Sequence, residues 1–223
     1  MNSKTLLKIL PYLRKESFSI DDISKETGVP YQTVSEVMGI LIEQGFLEDR
    51  KENFVAKEGA IISLAIQAIK GGASFNEVFN IIRWQDFENF VEMIFSEFGY
   101  KTFKNYRLKR PRIEVDILAL RNSYGLLIDC KQWHKILSAS NLNSAVIKQI
   151  ARAKIILSCD KNLKKGTVLV PVIVTLFPSN QKYFNGVPIV SCDMLKSFIS
   201  EADGRLDEFL KVSVEDGDTL EKN

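Results

Sequence analysis

Apolar positions fall into two rhythms along this chain, and the rhythm changes about a third of the way in. From Leu6 to Leu13 the spacing is helical. Ser19 stands before a short helix, 20–27, closed by Gly28. Val29-Pro30 opens a second helix whose apolar positions are Val34, Val37, Met38, Leu41 and Ile42, stopping at Gly45. Phe46–Glu48 and Asn53–Val55 flank the polar stretch 49–52 and predict a small hairpin. Residues 58–82 read as a connecting helical stretch broken at Gly71-Gly72, with Ser74 and Glu77 as a capping box. From 84 to 98 a strong amphipathic helix follows. Strands are then predicted at 113–120, 126–132, 168–176 and 187–191. Helices are expected at 145–157 and 194–210, and Pro171 at an edge or bulge. Helix, antiparallel strands, helix, strand, strand, helix predicts an α/β fold around a small mixed sheet.

The order helix, helix, turn, helix, hairpin is that of a winged helix-turn-helix. The stretch ISKETGVPYQTVSEVMGILIEQGFLE resembles many such modules. The expected organisation is therefore a winged-helix domain at 1–57, a helical linker at 58–82, an α/β domain at 83–213 and an acidic tail at 214–223. Within the winged helix, Tyr31, Gln32, Thr33 and Ser35 are placed to meet DNA. Arg50 and Lys51 of the wing could reach phosphate. Glu36 and Glu43 oppose that charge, and the competing use of the module is protein contact or dimerisation.

Composition narrows the class without choosing a function. Hydrophobic residues make up 45% and charged residues 26% of the 223, so a packed core is expected. The net charge of +2 does not by itself argue for nucleic acid. Cys130, Cys159 and Cys192 match no zinc spacing and suit a reducing compartment. Lys4, Lys8 and Arg14 interrupt any signal-peptide core. No apolar run approaches the ~18–20 residues of a membrane span. The expected location is the cytoplasm.

Candidate chemistry sits on the two central strands. Residues two apart on a strand share a face. Glu114 then points with Asp116, and Asp129 with Lys131, while Ile113, Val115 and Ile117 point the other way. With a four-residue loop at 122–125, Asp116 would stand opposite Lys131 and diagonal to Asp129. Two carboxylates and an ammonium on one patch suit a hard divalent cation, which takes oxygen ligands. The competing reading is a surface cross-strand salt bridge, which contributes little. Glu88 lies within the apolar stripe of Trp84, Val91 and Phe95, where a carboxylate is costly unless partnered. Ahead of Ile113 runs a basic stretch expected to be a loop: Lys101, Lys104, Arg107, Lys109, Arg110 and Arg112, with Phe103 and Tyr106 interleaved. Such a stretch suits phosphate contacts.

Taken in order, WQDFENFVEMIFSEFGY, EVDILAL and LLIDCKQW resemble the PD-(D/E)xK nuclease superfamily, in particular Mrr-type restriction endonucleases and archaeal Holliday-junction resolvases. The resemblance implies a restriction-endonuclease-like fold and a deoxyribonuclease dependent on Mg2+ or Mn2+. It implies metal ligation by Asp116, Asp129 and the backbone carbonyl of Cys130, with Glu88 as the helical glutamate. Lys131 would position or activate the water, followed by Gln132. Gln149 and Glu114 are accessory candidates. Val115 stands where a proline often precedes the first acid, and Asp129 replaces the more usual glutamate. His134, the single histidine, is expected in a structural or surface role. The expected activity is DNA phosphodiester hydrolysis by a homodimer. The alternative is a non-catalytic DNA-binding regulator built on a nuclease-like scaffold.

Overall fold

The structure is a computed structural model, and it describes residues 2–51, 53–122, 124–132 and 139–213. The chain divides into two compact units, Met1–Phe90 and Val91–Asn223. The division falls inside a helix rather than at its start near residue 83.

The N-terminal unit begins with α1 (Ser3–Ile9), capped by the Asn2 side chain, and a 3-10 turn (Leu10–Arg14). Ser19 and Asp22 form a reciprocal capping box that starts α2 (Ile20–Thr27). Gly28, at φ 67°, ends α2 in the left-handed region, which a side chain would strain. The turn delivers the chain into α3 (Tyr31–Glu43), whose buried face is Val34, Val37, Met38 and Leu41. The hairpin β1 (Leu47–Asp49) and β2 (Phe54–Ala56) pairs Glu48 with Val55. Phe18 bridges Phe54 through two backbone hydrogen bonds of 3.1 and 2.8 Å, which ties the approach to α2 onto the hairpin.

The stretch expected as a linker holds α4 (Ala60–Lys70) and α5 (Phe75–Phe79). Ala60, Ile62, Leu64, Ala65 and Ala68 of α4 are buried, and the helix packs against α1 and the 3-10 turn. A helix with that much apolar surface out of water is part of a core, not a spacer. The Ser74–Glu77 capping box expected from the sequence starts α5.

In the C-terminal unit a six-stranded sheet runs in the order β3-β4-β5-β6-β8-β7. Its strands are β3 (Lys101–Leu108), β4 (Ile113–Arg121), β5 (Tyr124–Lys131), β6 (Val168–Thr175), β7 (Tyr183–Phe184) and β8 (Val187–Ser191). Strand β4 is antiparallel to both its neighbours, β3 and β5; β5, β6 and β8 are parallel, and β7 closes antiparallel on β8. The sheet is mixed and flanked by helices, as the element order predicted. Helix α6 (Trp84–Glu97) leads into it, α7 (Ala139–Cys159) crosses from β5 to β6, and α8 (Leu195–Ala202) follows β8. Ala153 and Ile156 of α7 pack on Leu118, Leu127 and Leu169. Strand β5 is buried from Tyr124 to Cys130, the pattern of a central strand covered on both faces.

Two differences from the sequence reading have clear causes. The segment expected as a basic loop is edge strand β3. Its three cations, Lys101, Lys104 and Arg107, are all exposed, as are Lys109, Arg110 and Arg112 in the turn after it; exposed charge is a common way to keep an edge from pairing with another chain. Pro171 lies in an interior strand, yet where no donor is required. Leu169 exchanges hydrogen bonds with Val212 on the β8 side, so the nitrogen of Pro171 points to that same side, and pairing with β8 begins only at Ile173. Among the described residues no helix is long and apolar enough to cross a membrane.

Candidate active site

The β4–β5 hairpin sets the geometry. Its register joins Leu118 to Leu127, Leu120 to Gly125 and Arg121 to Tyr124, so the loop is two residues, 122–123, not four. Tyr124 and Gly125 are drawn into the strand, and Asn122 turns the chain at φ 54°, a conformation asparagine tolerates. A Cβ at Gly125 would meet Leu120 Cδ2 at 2.6 Å and Leu169 Cδ2 at 2.8 Å, so a side chain there would have to displace both leucine ends. Pairing runs up to Ile117 with Ile128 and stops. The shorter loop shifts the expected partnership by two residues. Asp116 therefore does not stand opposite Lys131. Continued from Ile117–Ile128, the register would bring it to Asp129.

Strict alternation also breaks at Asp116. Along β3–β4 the one position without a pair is Asn105 beside Asp116, and Asn105 has φ 50°. Val115 and Ile113 join the cluster of Leu118 and Leu127. On a regular strand Val115 and Leu118, three apart, would lie on opposite faces. Ile113, Val115 and Ile117 thus do not form the single face expected. Glu114 is correspondingly outside the patch, exposed and paired with Arg107 at 2.7 Å.

Where the ladder stops, the Asp116 carboxylate takes over. Its Oδ2 accepts a hydrogen bond of 2.7 Å from the backbone N–H of Cys130. Asp129 lies next along β5 with 3% of its surface exposed. Lys131 Nζ reaches Asp129 Oδ2 at 2.6 Å, and Arg152 Nη1 of α7 reaches Oδ1 at 2.9 Å. Gln149, fully buried, donates from Nε2 to the carbonyl of Leu127 at 2.8 Å and accepts from Arg152 Nη1 at 3.2 Å. The Asp116 carboxyl is raised above its ordinary range. Burial is the main cause and the charge of Asp129 the second; the Cys130 N–H, Lys131 and Arg152 pull the other way. The two acids therefore lie within electrostatic reach of each other.

Two carboxylates within reach of each other, one disfavoured as an anion first by burial and next by its neighbour, form a donor set of the oxygen type that a hard divalent cation takes. Among the described residues no three acidic, histidine or cysteine side chains come together. A magnesium ion here would thus have two carboxylates and complete its shell with carbonyl, water and phosphate oxygens, its usual preference.

The remaining candidates fall in several places. Glu88 is buried on the part of α6 that belongs to the N-terminal unit. Gln132 is half-buried directly after β5. Tyr31 and Gln32 are exposed on the first turn of α3, with Thr33 and Ser35 half-buried beside them. Arg50 and Lys51 are exposed after β1, and Arg50 pairs with Glu48 at 3.2 Å. Lys104 and Arg107 are exposed on β3, and Lys109, Arg110 and Arg112 in the turn after it. His134 lies outside the described residues. Arg152 was missed by the sequence reading. It is three residues beyond Gln149, on the same helical face, and that spacing was the available signal.

No known family profile matches the chain. A protein of Archaeoglobus fulgidus described as uncharacterized is 28% identical over 131 residues, covering 57% of this chain and 98% of its own length. Among solved structures, protein VC1899 of Vibrio cholerae matches with a TM-score of 0.39 at 14% identity, over 91% of this chain. The chain spans 51% of that protein, about half its length. The small subunit of a heterodimeric restriction endonuclease matches with a TM-score of 0.37 at 14% identity, over 66% of this chain and 78% of that one. Protein AF1548, of unknown function, matches with a TM-score of 0.34 at 19% identity, over 51% of this chain and 63% of that one.

Proposed function

We propose that the C-terminal unit is a divalent-cation-dependent DNA endonuclease of the PD-(D/E)xK type, with α3 and the β1–β2 hairpin serving as a winged helix that targets DNA. The observation carrying this reading is the convergence of Asp116, Asp129 and Lys131 at the point where the β4–β5 ladder ends. Asp116 and Asp129 would hold the cation, with the Cys130 carbonyl as a further ligand candidate. A bound Mg2+ or Mn2+ supplies Lewis acidity and neutralises charge developing on the phosphate. Lys131 donates hydrogen bonds to the attacking water or to a phosphate oxygen, and Gln132 follows it as an accessory polar contact. Water adds to phosphorus in line, the bond to the 3′ oxygen breaks, and the products are a 5′-phosphate and a 3′-hydroxyl. The exposed cations of β3 and its turn supply backbone contacts, and the active species is a homodimer.

Incubation of supercoiled plasmid with Mg2+ or Mn2+ tests this. Nicked or linear product is expected with the wild-type chain and not with Lys131→Ala or Asp116→Asn. Cation-dependent nicking that survives in both variants, or no cleavage of linear, methylated or four-way-junction DNA, would reject it. One observation favours a non-catalytic DNA-binding reading: both Asp129 oxygens are already answered by cations. That reading predicts duplex binding without added cation and no product from any substrate.

A further inference from the structure

Arg152 is joined to the carboxylate patch in a way that the strand motif does not foreshadow. Its guanidinium is held from behind by Gln149, itself fixed to the Leu127 carbonyl, and its Nη1 closes Asp129 Oδ1 at 2.9 Å. Lys131 closes the other oxygen at 2.6 Å. The Asp129 side chain is 4% exposed, so its oxygens are reached past these two cations. The Arg152 side chain is 32% exposed, so its guanidinium has room to turn outward, giving up Asp129 Oδ1 and Gln149 Oε1 as it does.

A divalent cation entering this patch meets two positive charges beside the two acids. An arriving phosphodiester changes that balance, because it brings an anionic group that a guanidinium pairs with through two parallel hydrogen bonds. We propose that Arg152 is an exchangeable counter-ion. It occupies Asp129 while nucleic acid is absent and transfers to a backbone phosphate oxygen when DNA binds, so that cation and phosphodiester bind cooperatively. The inference rests on the cation-site reading given above and adds its regulation: free cation loads the site poorly, and DNA opens it. By linkage, cation must raise DNA affinity by the same factor.

Calorimetric titration of the full chain with Ca2+, with and without a short DNA duplex, tests the coupling. For the wild type, the duplex is expected to tighten Ca2+ binding about tenfold or more. Arg152→Gln is expected to bind Ca2+ more tightly than wild type without DNA, and to gain less than about twofold from the duplex. An Arg152→Gln chain with a wild-type melting curve and unchanged or weaker Ca2+ binding would overturn the proposal. So would unchanged coupling. Should Arg152→Gln fail to fold, Arg152→Lys keeps the charge but not the planar fork. It is expected to lose several-fold of the coupling, and wild-type coupling in that variant overturns the idea equally. Asp116→Asn separates the two levels. If it leaves Ca2+ binding intact, the cation-site reading fails. If it abolishes Ca2+ binding while both Arg152 variants behave as wild type, only the exchange fails.

Discussion

The two ends of β5 each carry a cluster of polar groups, and they are assembled in opposite ways. At its start the Tyr124 hydroxyl meets that of Tyr100 at 2.5 Å and donates to Asp203. Arg121 answers the same carboxylate at 3.2 Å and lies over the Tyr100 ring at 5.3 Å. Burial, with Asp203 and Tyr100 next, holds the Tyr124 hydroxyl in its neutral form. One acid, one cation and two hydroxyls satisfy one another. At its end two acids are crowded together, one raised by burial and by the other's charge, and two cations converge on a single carboxylate. Both clusters perturb titration, so perturbation alone does not mark function. The difference lies in how the charges are shared: at the first end each group answers a different neighbour, while at the second both cations close on Asp129 and leave Asp116 with a backbone N–H.

Activity gives the widest separation between the two ends. Lys131→Ala is expected to lower plasmid cleavage by about 10²-fold or more, comparable to deleting a single transition-state donor. Tyr124→Phe, measured on the same plasmid, is expected to leave the rate within about twofold. Stability should reverse that order. Tyr124→Phe strands partners of a buried hydroxyl and should cost about 1–3 kcal/mol in urea unfolding. Asp116→Asn keeps an acceptor for the Cys130 N–H while removing one of the crowded charges. It should stabilise the cation-free protein by about 1 kcal/mol, or roughly 2–4 °C.

The pH dependence sharpens the third case. The folded Asp116 carboxyl takes up its proton at a higher pH than the unfolded one, so the folded state binds more protons in that window. Stability from this group therefore falls as pH rises from the unfolded to the folded value, and the deficit persists above it. Asp116→Asn should remove that slope, and cation affinity in the wild type should weaken on acidification before ordinary carboxylates titrate. The smallest effect belongs to Glu114. Glu114→Gln breaks an exposed pair with Arg107 and should change stability by less than about 0.5 kcal/mol, with cation binding unaltered.

The helices and the buried strands were legible because their periods are simple. The α3 stripe, the Ser74–Glu77 cap and the apolar run of β6 each obey one local rule. Strand β3 was not legible, because an edge strand rich in lysine and arginine has the composition of a loop and is decided by its neighbour β4. The residue types of the patch were readable from Asp116, Asp129 and Lys131, but their arrangement was not. It depends on a two-residue turn that draws in Tyr124 and Gly125, and on the break at Asn105 and Asp116, neither of which periodicity registers. Arg152 went unread for a related reason: on α7 it looks like any surface arginine until the helix is laid against β5.

The backbone hydrogen bond accepted by Asp116 gives this side chain a duty to the sheet that is independent of any reaction. Alanine or glycine at this position would take away the acceptor that the Cys130 amide now has beside a buried strand. Asparagine keeps an acceptor of the same reach. Retention of an acid or amide at position 116 is therefore expected wherever this architecture is kept, whether or not the chain cuts DNA.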